Sequence, residues 1–194
     1  MRTATISIVY HSTYGHTAQA AHLLAGFLQS EQATVHLFNS IEAKAAWEIL
    51  HASDTIVFGC PTILGNVSAA FKTFMEETER FLYKQIWKNK LAAAFTVSPS
   101  AGGDKQQTLQ ALANFAAQHG MLWMSLGVLP HYCCHRQTDG QNRFSSYLGL
   151  MIQSDNSDEK VEPFHSGDVL TAELFSNRIL DITLHLKTIK SRYV

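Results

Sequence analysis

Ser12-Thr13-Tyr14-Gly15-His16-Thr17 has the composition of an anion site. The segment follows a β-branched run and precedes a helical pattern, so its last residues start a helix. A helix N-terminus offers free N–H groups and the positive end of the peptide dipole, which suits a phosphate. The hydroxyls add donors, and Gly15 lets the backbone close in. No Lys or Arg is present, which argues against a nucleoside-triphosphate loop. The Gly-x-Gly-x-x-Gly of a dinucleotide fold is missing too. A phosphate monoester held by hydroxyls and amides fits better, with an ordinary Ser/Thr helix cap as the alternative.

Two further loops have suitable chemistry. Cys60-Pro61-Thr62-Ile63-Leu64-Gly65-Asn66 combines a chain-directing proline with a permissive glycine, and its exposed amides could meet the polar edge of a flat ring. Asn66 is a candidate cap for the next helix. Ser98-Pro99-Ser100-Ala101-Gly102-Gly103 is built of small residues and leaves a groove that such a ring could enter. Each loop alone could be a plain turn.

Positioning these loops requires an alternation of strands and helices. Strand patterns fall at residues 3–10, 34–38, 54–60, 91–98 and 121–129, the third stopping at Pro61 and the fifth at Pro130. Helical spacing falls at 16–30, 41–52, beyond Asn66, after Gly103, and over the last stretch through Ala172, Phe175, Ile179, Ile182 and Leu186. Gly120 reads as a C-terminal helix cap. The pattern predicts one α/β domain over residues 1–194, a three-layer sandwich on a five-stranded parallel sheet in the order 2-1-3-4-5. Ligands of such sheets bind beyond the carboxyl ends of the strands, where all three loops fall. Residues 131–162 read as polar and irregular, and Asp155–Lys160 as a solvated loop.

With 46 % hydrophobic and 16 % charged residues the chain is globular rather than disordered. A net charge of −1 argues against a nucleic-acid partner. No apolar run is long enough to span a bilayer, and no signal-peptide pattern opens the chain, so a cytoplasmic location is expected. Three cysteines, Cys60, Cys133 and Cys134, are read as reduced thiols. His131-Tyr132-Cys133-Cys134-His135 is dense in potential metal ligands, but adjacent cysteines rarely converge on one tetrahedral ion, and no metal is expected. Arg80, Lys84 and Lys88 form a basic stripe if helical, read mainly as a solvated face.

The combination of Ser-Thr-Tyr-Gly-His-Thr at 12–17, Gly-Cys-Pro-Thr-Ile-Leu-Gly-Asn at 59–66, the Ser-rich loop ending in Gly102-Gly103, and Gln118-His119-Gly120-Met121 resembles the flavodoxin-like NAD(P)H:quinone oxidoreductases, in the subgroup named after Trp repressor-binding protein. The resemblance implies FMN as cofactor, NADH or NADPH as donor, a quinone or similar acceptor, and a homodimer or homotetramer. It implies that Ser12, Thr13, Tyr14, Gly15, His16 and Thr17 hold the phosphate. Pro61, Thr62, Ile63, Leu64, Gly65 and Asn66 would line the ring, and Ser98, Pro99, Ser100, Ala101, Gly102 and Gly103 would wrap its other side. His119 and Tyr14 are the candidates for substrate-side catalytic roles, His119 across a subunit contact. The chain departs from the family at Ile63-Leu64, where an Arg-Phe pair is usual. The missing Arg removes a charge favouring reduced flavin, and the missing Phe removes an aromatic wall. An electron-carrier flavodoxin and a non-catalytic flavin-binding regulator are the alternative functions. The near-neutral charge disfavours the carrier.

Overall fold

The protein is described by a computed structural model covering residues 3–133, 140–154 and 163–190. The strands are β1 (Ala4–Tyr10), β2 (Ala33–Asn39), β3 (Thr55–Ile63), β4 (Asn66–Val67), β5 (Leu91–Ser98), β6 (Leu122–Trp123) and β7 (Leu150–Gln153). The helices are α1 (His16–Leu28), α2 (Trp47–Ala52), α3 (Ala69–Glu77), α4 (Glu79–Leu82), α5 (Lys105–Gln118) and α6 (Ser166–Lys190).

The sheet runs β2-β1-β3-β5-β6, with β4 antiparallel to β3 and β7 parallel to β5. The expected sandwich is present, but the expected five-strand order 2-1-3-4-5 is replaced by this seven-strand arrangement. Two local causes account for the difference. The Leu64-Gly65 turn folds Asn66-Val67 back on Thr62-Ile63 and creates β4. The edge beside β5 is also split. β6 pairs with Leu91-Ala92, and β7 takes over at Phe95–Ser98. The fifth strand expected at 121–129 therefore ends after two residues. The stretch read as irregular from His131 instead supplies Leu150–Gln153 to the sheet.

The central strands are buried almost throughout, and successive side chains point to opposite faces, as a sheet covered on both sides requires. Ile6, Ile8, Val57, Ala93, Phe95 and Val97 pack towards Leu24, Leu28, Phe175 and Ile179 of α1 and α6. Ile56, Phe58, Ala92 and Ala94 pack towards Phe71, Phe74, Trp87, Leu112 and Phe115 on the other side. At the lower end of α5, Gly120 N–H and Met121 N–H donate to the carbonyls of Ala117 and Ala116, the closing pattern expected of a glycine cap.

Pro61 does not stop β3, which continues to Ile63. Gly59 accepts from His11 on the β1 side, so Pro61, two residues on, presents its backbone to that side as well. The β1 ladder has ended at Tyr10–Gly59, so the missing N–H leaves no gap, while Pro61 still pairs in register with Val97. The helix after β4 is capped by Ser68 rather than Asn66. Ser68 Oγ accepts from Phe71 N–H, whereas Asn66 Oδ1 accepts from Val67 N–H. Arg80, Lys84 and Lys88 form no helical stripe, because α4 ends at Leu82 and Gln85 turns left-handed. Arg80 instead lies over the rings of Trp47 and Phe81.

Candidate active site

The three chemically suggestive loops meet at the carboxyl end of the sheet. Their groove encloses about 400 Å³, including its open side. Ser12, Thr13, Tyr14, His16, Thr17, Pro61, Thr62, Ile63, Ser98 and Pro99 line it, together with Val97 and Ser154. Leu64, Gly65 and Asn66 form the hairpin tip above it. A Cβ on Gly65 would lie 3.4 Å from that of Asp104, so this tip sits against the turn that continues Ser100–Gly103 into α5.

Local sequence explains each wall. Gly15 adopts φ 91°, a left-handed conformation that an L side chain would strain, and from it α1 begins at His16. No side chain caps α1, and Ser12 Oγ accepts instead from Gly15 N–H at 3.1 Å. The first amides of α1 therefore open onto the groove beside the hydroxyls of Ser12, Thr13 and Thr17. At the second wall, Leu64 and Gly65 both have positive φ, 48° and 73°. This two-residue turn matches the twist of a hairpin. It leaves Leu64 fully exposed.

Beneath the groove, three threonines lock β3, β5 and α5. Thr62 Oγ1 donates to Thr108 Oγ1 at 2.9 Å and accepts from Thr96 Oγ1 at 2.7 Å. Beside them, Ser68 Oγ bonds His11 Nδ1 at 2.8 Å, and Ser68 N–H donates to Cys60 Sγ at 3.3 Å. Burial pushes the Cys60 thiol up to about 11, so it is neutral and part of the packing.

His119 does not reach the groove. It stands at the end of α5, near the start of β5, whereas the groove lies where β5 ends. It is 2 % exposed, packed on Trp87 and Phe115, and desolvation pulls its pKa down to about 4. Tyr14, by contrast, lines the groove and is 84 % exposed at its mouth. Cys60 and Cys133 are free thiols. Cys134, His135 and the loop Asp155–Lys160 lie outside the described residues.

Sequence reasoning missed Val97 and Ser154 in the lining. Ser154 follows the short apolar run Leu150-Met151-Ile152, the one signal of a strand within a polar stretch. It also missed a polar network behind the third loop. Arg143 donates to both oxygens of Asp168 at 2.7 and 3.0 Å and to Gln153 Oε1 at 2.8 Å. Asp168 Oδ2 also accepts from Gln153 N–H.

The groove fits FMN on its own chemistry. One end carries an uncapped helix start and hydroxyls but no Lys or Arg, matching a phosphate monoester. The middle is flat and apolar at Pro61, Ile63, Val97 and Pro99. A doubly wound sheet with this groove at its strand ends defines a flavin-mononucleotide protein of the flavodoxin type.

Residues 18–130 match the model of the NADPH-dependent FMN reductase family, and the chain belongs to that family. Among curated proteins it is similar to flavodoxin FldP of Pseudomonas aeruginosa (strain UCBPP-PA14), 34 % identical over 175 residues, covering 90 % of this chain and 94 % of the relative. Among solved structures it is similar to the flavodoxin, WrbA-like protein from Agrobacterium tumefaciens. That pair is 31 % identical with a TM-score of 0.73, covering 94 % of this chain and 99 % of the other. A flavodoxin from the domain Archaea shares the fold at 18 % identity and TM-score 0.63, covering 93 % and 99 %. The protein is an FMN-binding oxidoreductase that uses NAD(P)H. Among the described residues no helix is long and apolar enough to cross a membrane.

Proposed function

We propose that the chain passes two electrons from NAD(P)H to a quinone or similar flat acceptor at the mouth of this groove. The observation that carries the reading is the uncapped start of α1, opening on Ser12, Thr13 and Thr17 with no Lys or Arg among the lining side chains. Bound FMN would supply hydride acceptance and onward electron transfer, chemistry that no side chain offers.

The chain's own residues bind and orient. The amides of His16 and Thr17 and the hydroxyls of Ser12, Thr13 and Thr17 take the phosphate. Pro61, Thr62 and Ile63 form one side of the ring slot, and Val97, Ser98 and Pro99 the other. The Thr62–Thr96–Thr108 bonds keep the two sides at a fixed spacing. Leu64, Gly65 and Asn66 cover the ring's edge, and Ser100 to Gly103 face its polar rim. Tyr14 and Leu64 stand exposed at the mouth, an apolar rim suited to a flat acceptor or a nicotinamide. His119 is left out of the reacting set because it is buried under Trp87.

The test is a titration of the apoprotein with FMN, followed by NADH and NADPH oxidation with benzoquinone. Saturable binding and acceptor-dependent turnover are expected. No FMN binding overturns the reading. A relative named as a flavodoxin favours a second one, an electron carrier. Bound FMN with no NAD(P)H oxidation would decide for it. A cytoplasmic location and a homodimer or homotetramer belong to the same proposal, the latter checked by sedimentation.

A further inference from the structure

The third loop of the site is held from behind by an unusual set of donors. Ser98 O accepts from Ser154 N–H at 3.1 Å, and Pro99 O from Gln153 Nε2 at 2.7 Å. Ser100 O and Ala101 O both accept from Lys105 Nζ, the second at 3.2 Å. Four consecutive carbonyls are thus tied to donors of the protein itself. Among the described residues, the N–H groups of Ser100, Ala101, Gly102, Gly103 and Asp104 have no acceptor.

Lys105 is an odd residue for this place. It is 1 % exposed, although lysine is almost never fully buried. It is the first residue of α5, where a positive charge opposes the helix dipole. Asp168 acts on it favourably, but both Asp168 oxygens are engaged by Arg143, which repels it. Phe144 offers a ring at 5.1 Å. Desolvation brings its pKa down to about 8. A neutral residue would fold there at less cost, and a charge kept against stability points to function.

We propose that Lys105 is a positioning residue for reduced flavin, its ammonium tying the Ser100 and Ala101 carbonyls away from the groove so that the amides of 100–104 and its own charge favour the anionic ring. The inference rests on the FMN reading above. A flavin ring that has taken two electrons ionises readily at its pyrimidine edge. Free N–H dipoles backed by a buried cation stabilise that charge in a medium of low dielectric.

The experiment measures the FMN dissociation constant by fluorescence quenching, and the midpoint potential of the bound flavin at pH 7. The proteins are wild type, Lys105→Met, Lys105→Gln and the surface control Lys72→Met. Wild type failing to bind FMN overturns the function proposed above, not this inference specifically. With binding intact, Lys105→Met is expected to bind oxidised FMN about tenfold more weakly. Lys105→Gln keeps an N–H group to donate to the Ser100 and Ala101 carbonyls but no charge, and it is expected to restore most of that affinity. Its reduced flavin is expected to be held at least tenfold less well relative to oxidised flavin, a fall of about 30 mV for a two-electron couple. Should Lys105→Met not fold, Lys105→Gln alone decides. A potential equal to that of Lys72→Met in a folded, FMN-loaded Lys105→Gln protein overturns the proposal.

Discussion

Thr78 Oγ1 and His119 Nε2 lie 2.8 Å apart, and the direction of this bond fixes the state of the imidazole. The Thr78 hydroxyl spends its one proton on Met75 O at 2.6 Å. It must therefore accept from His119, which carries its proton on Nε2 and turns a bare Nδ1 into the core. That Nδ1 has no partner among the described residues. His119 is thus a neutral brace between the α3–α4 junction and the end of α5.

The brace predicts acid sensitivity. The folded pKa of His119 is about 4 against an ordinary 6.5, so the unfolded chain takes up the proton first as pH falls. Stability should be present above 6.5 and lost from 6.5 towards 4, at up to about 1.4 kcal/mol per pH unit. His11 and His51, also lowered by burial, act in the same direction. Urea unfolding of His119→Gln across this range should show a shallower decline than wild type.

Lys105 predicts the opposite end of the scale. Its folded pKa of about 8 lies below the 10.5 of a free lysine. The unfolded chain binds the extra proton between these values, so stability rises as pH goes from 8 to 10.5. Asp168 and Arg143 act on the same ammonium in opposite senses. Lys105→Met should remove most of the rise in urea titrations of the apoprotein.

Asp168 is the keystone of the network behind the third loop. It is 2 % exposed and takes three hydrogen bonds, two from Arg143 and one from Gln153 N–H. Asp168→Ala strands a largely buried guanidinium, which costs about 3 kcal/mol. Thermal unfolding should register the loss. FMN affinity should fall with it, because Gln153 also holds Pro99 O.

The phosphate end can be separated from the ring end by ligand choice. Ser12→Ala combined with Thr17→Val removes two hydroxyls from the wall below α1. FMN binding should weaken about tenfold or more, and riboflavin, which lacks the phosphate, should bind as it does to wild type. Equal losses for both ligands would place the phosphate elsewhere.

At the hairpin tip, Gly65→Ala puts a side chain at φ 73°. A loss of about 1 kcal/mol in urea unfolding is expected from the strained backbone.

Much of the site was legible because its loops are short and chemically biased. Ser12–Thr17 reads as a helix start, and α1 does begin at His16 with no side-chain cap. What stayed hidden depends on tertiary neighbours. Whether Pro61 ends a strand turns on where β1 stops beside it, which no window around Pro61 contains. β6 and β7 are too short to show a period, and their meaning comes from sharing one partner strand. Lys105 carries no sequence signal that sets it apart from other lysines near a helix start. Its burial depends on tertiary neighbours, among them the Phe144 ring 39 residues further along the chain. His119 carries the opposite lesson, since a family-like motif pointed to the ring while its apolar surroundings on α5 pointed inward.

The split edge strand has a consequence for how the molecule is made. The carbonyls of Ser98 and Pro99 are fastened by Ser154 and Gln153, and the anchoring Asp168 comes later still. A nascent chain that has emerged only as far as residue 149 holds every residue of the phosphate loop and hairpin tip, and Lys105 as well, but lacks the donors that fasten Ser98 O and Pro99 O. Because chains emerge N-terminus first, the third wall is expected to be fastened in full only after β7 has emerged. Ribosome-stalled chains ending before and after β7 should differ sharply in FMN capture.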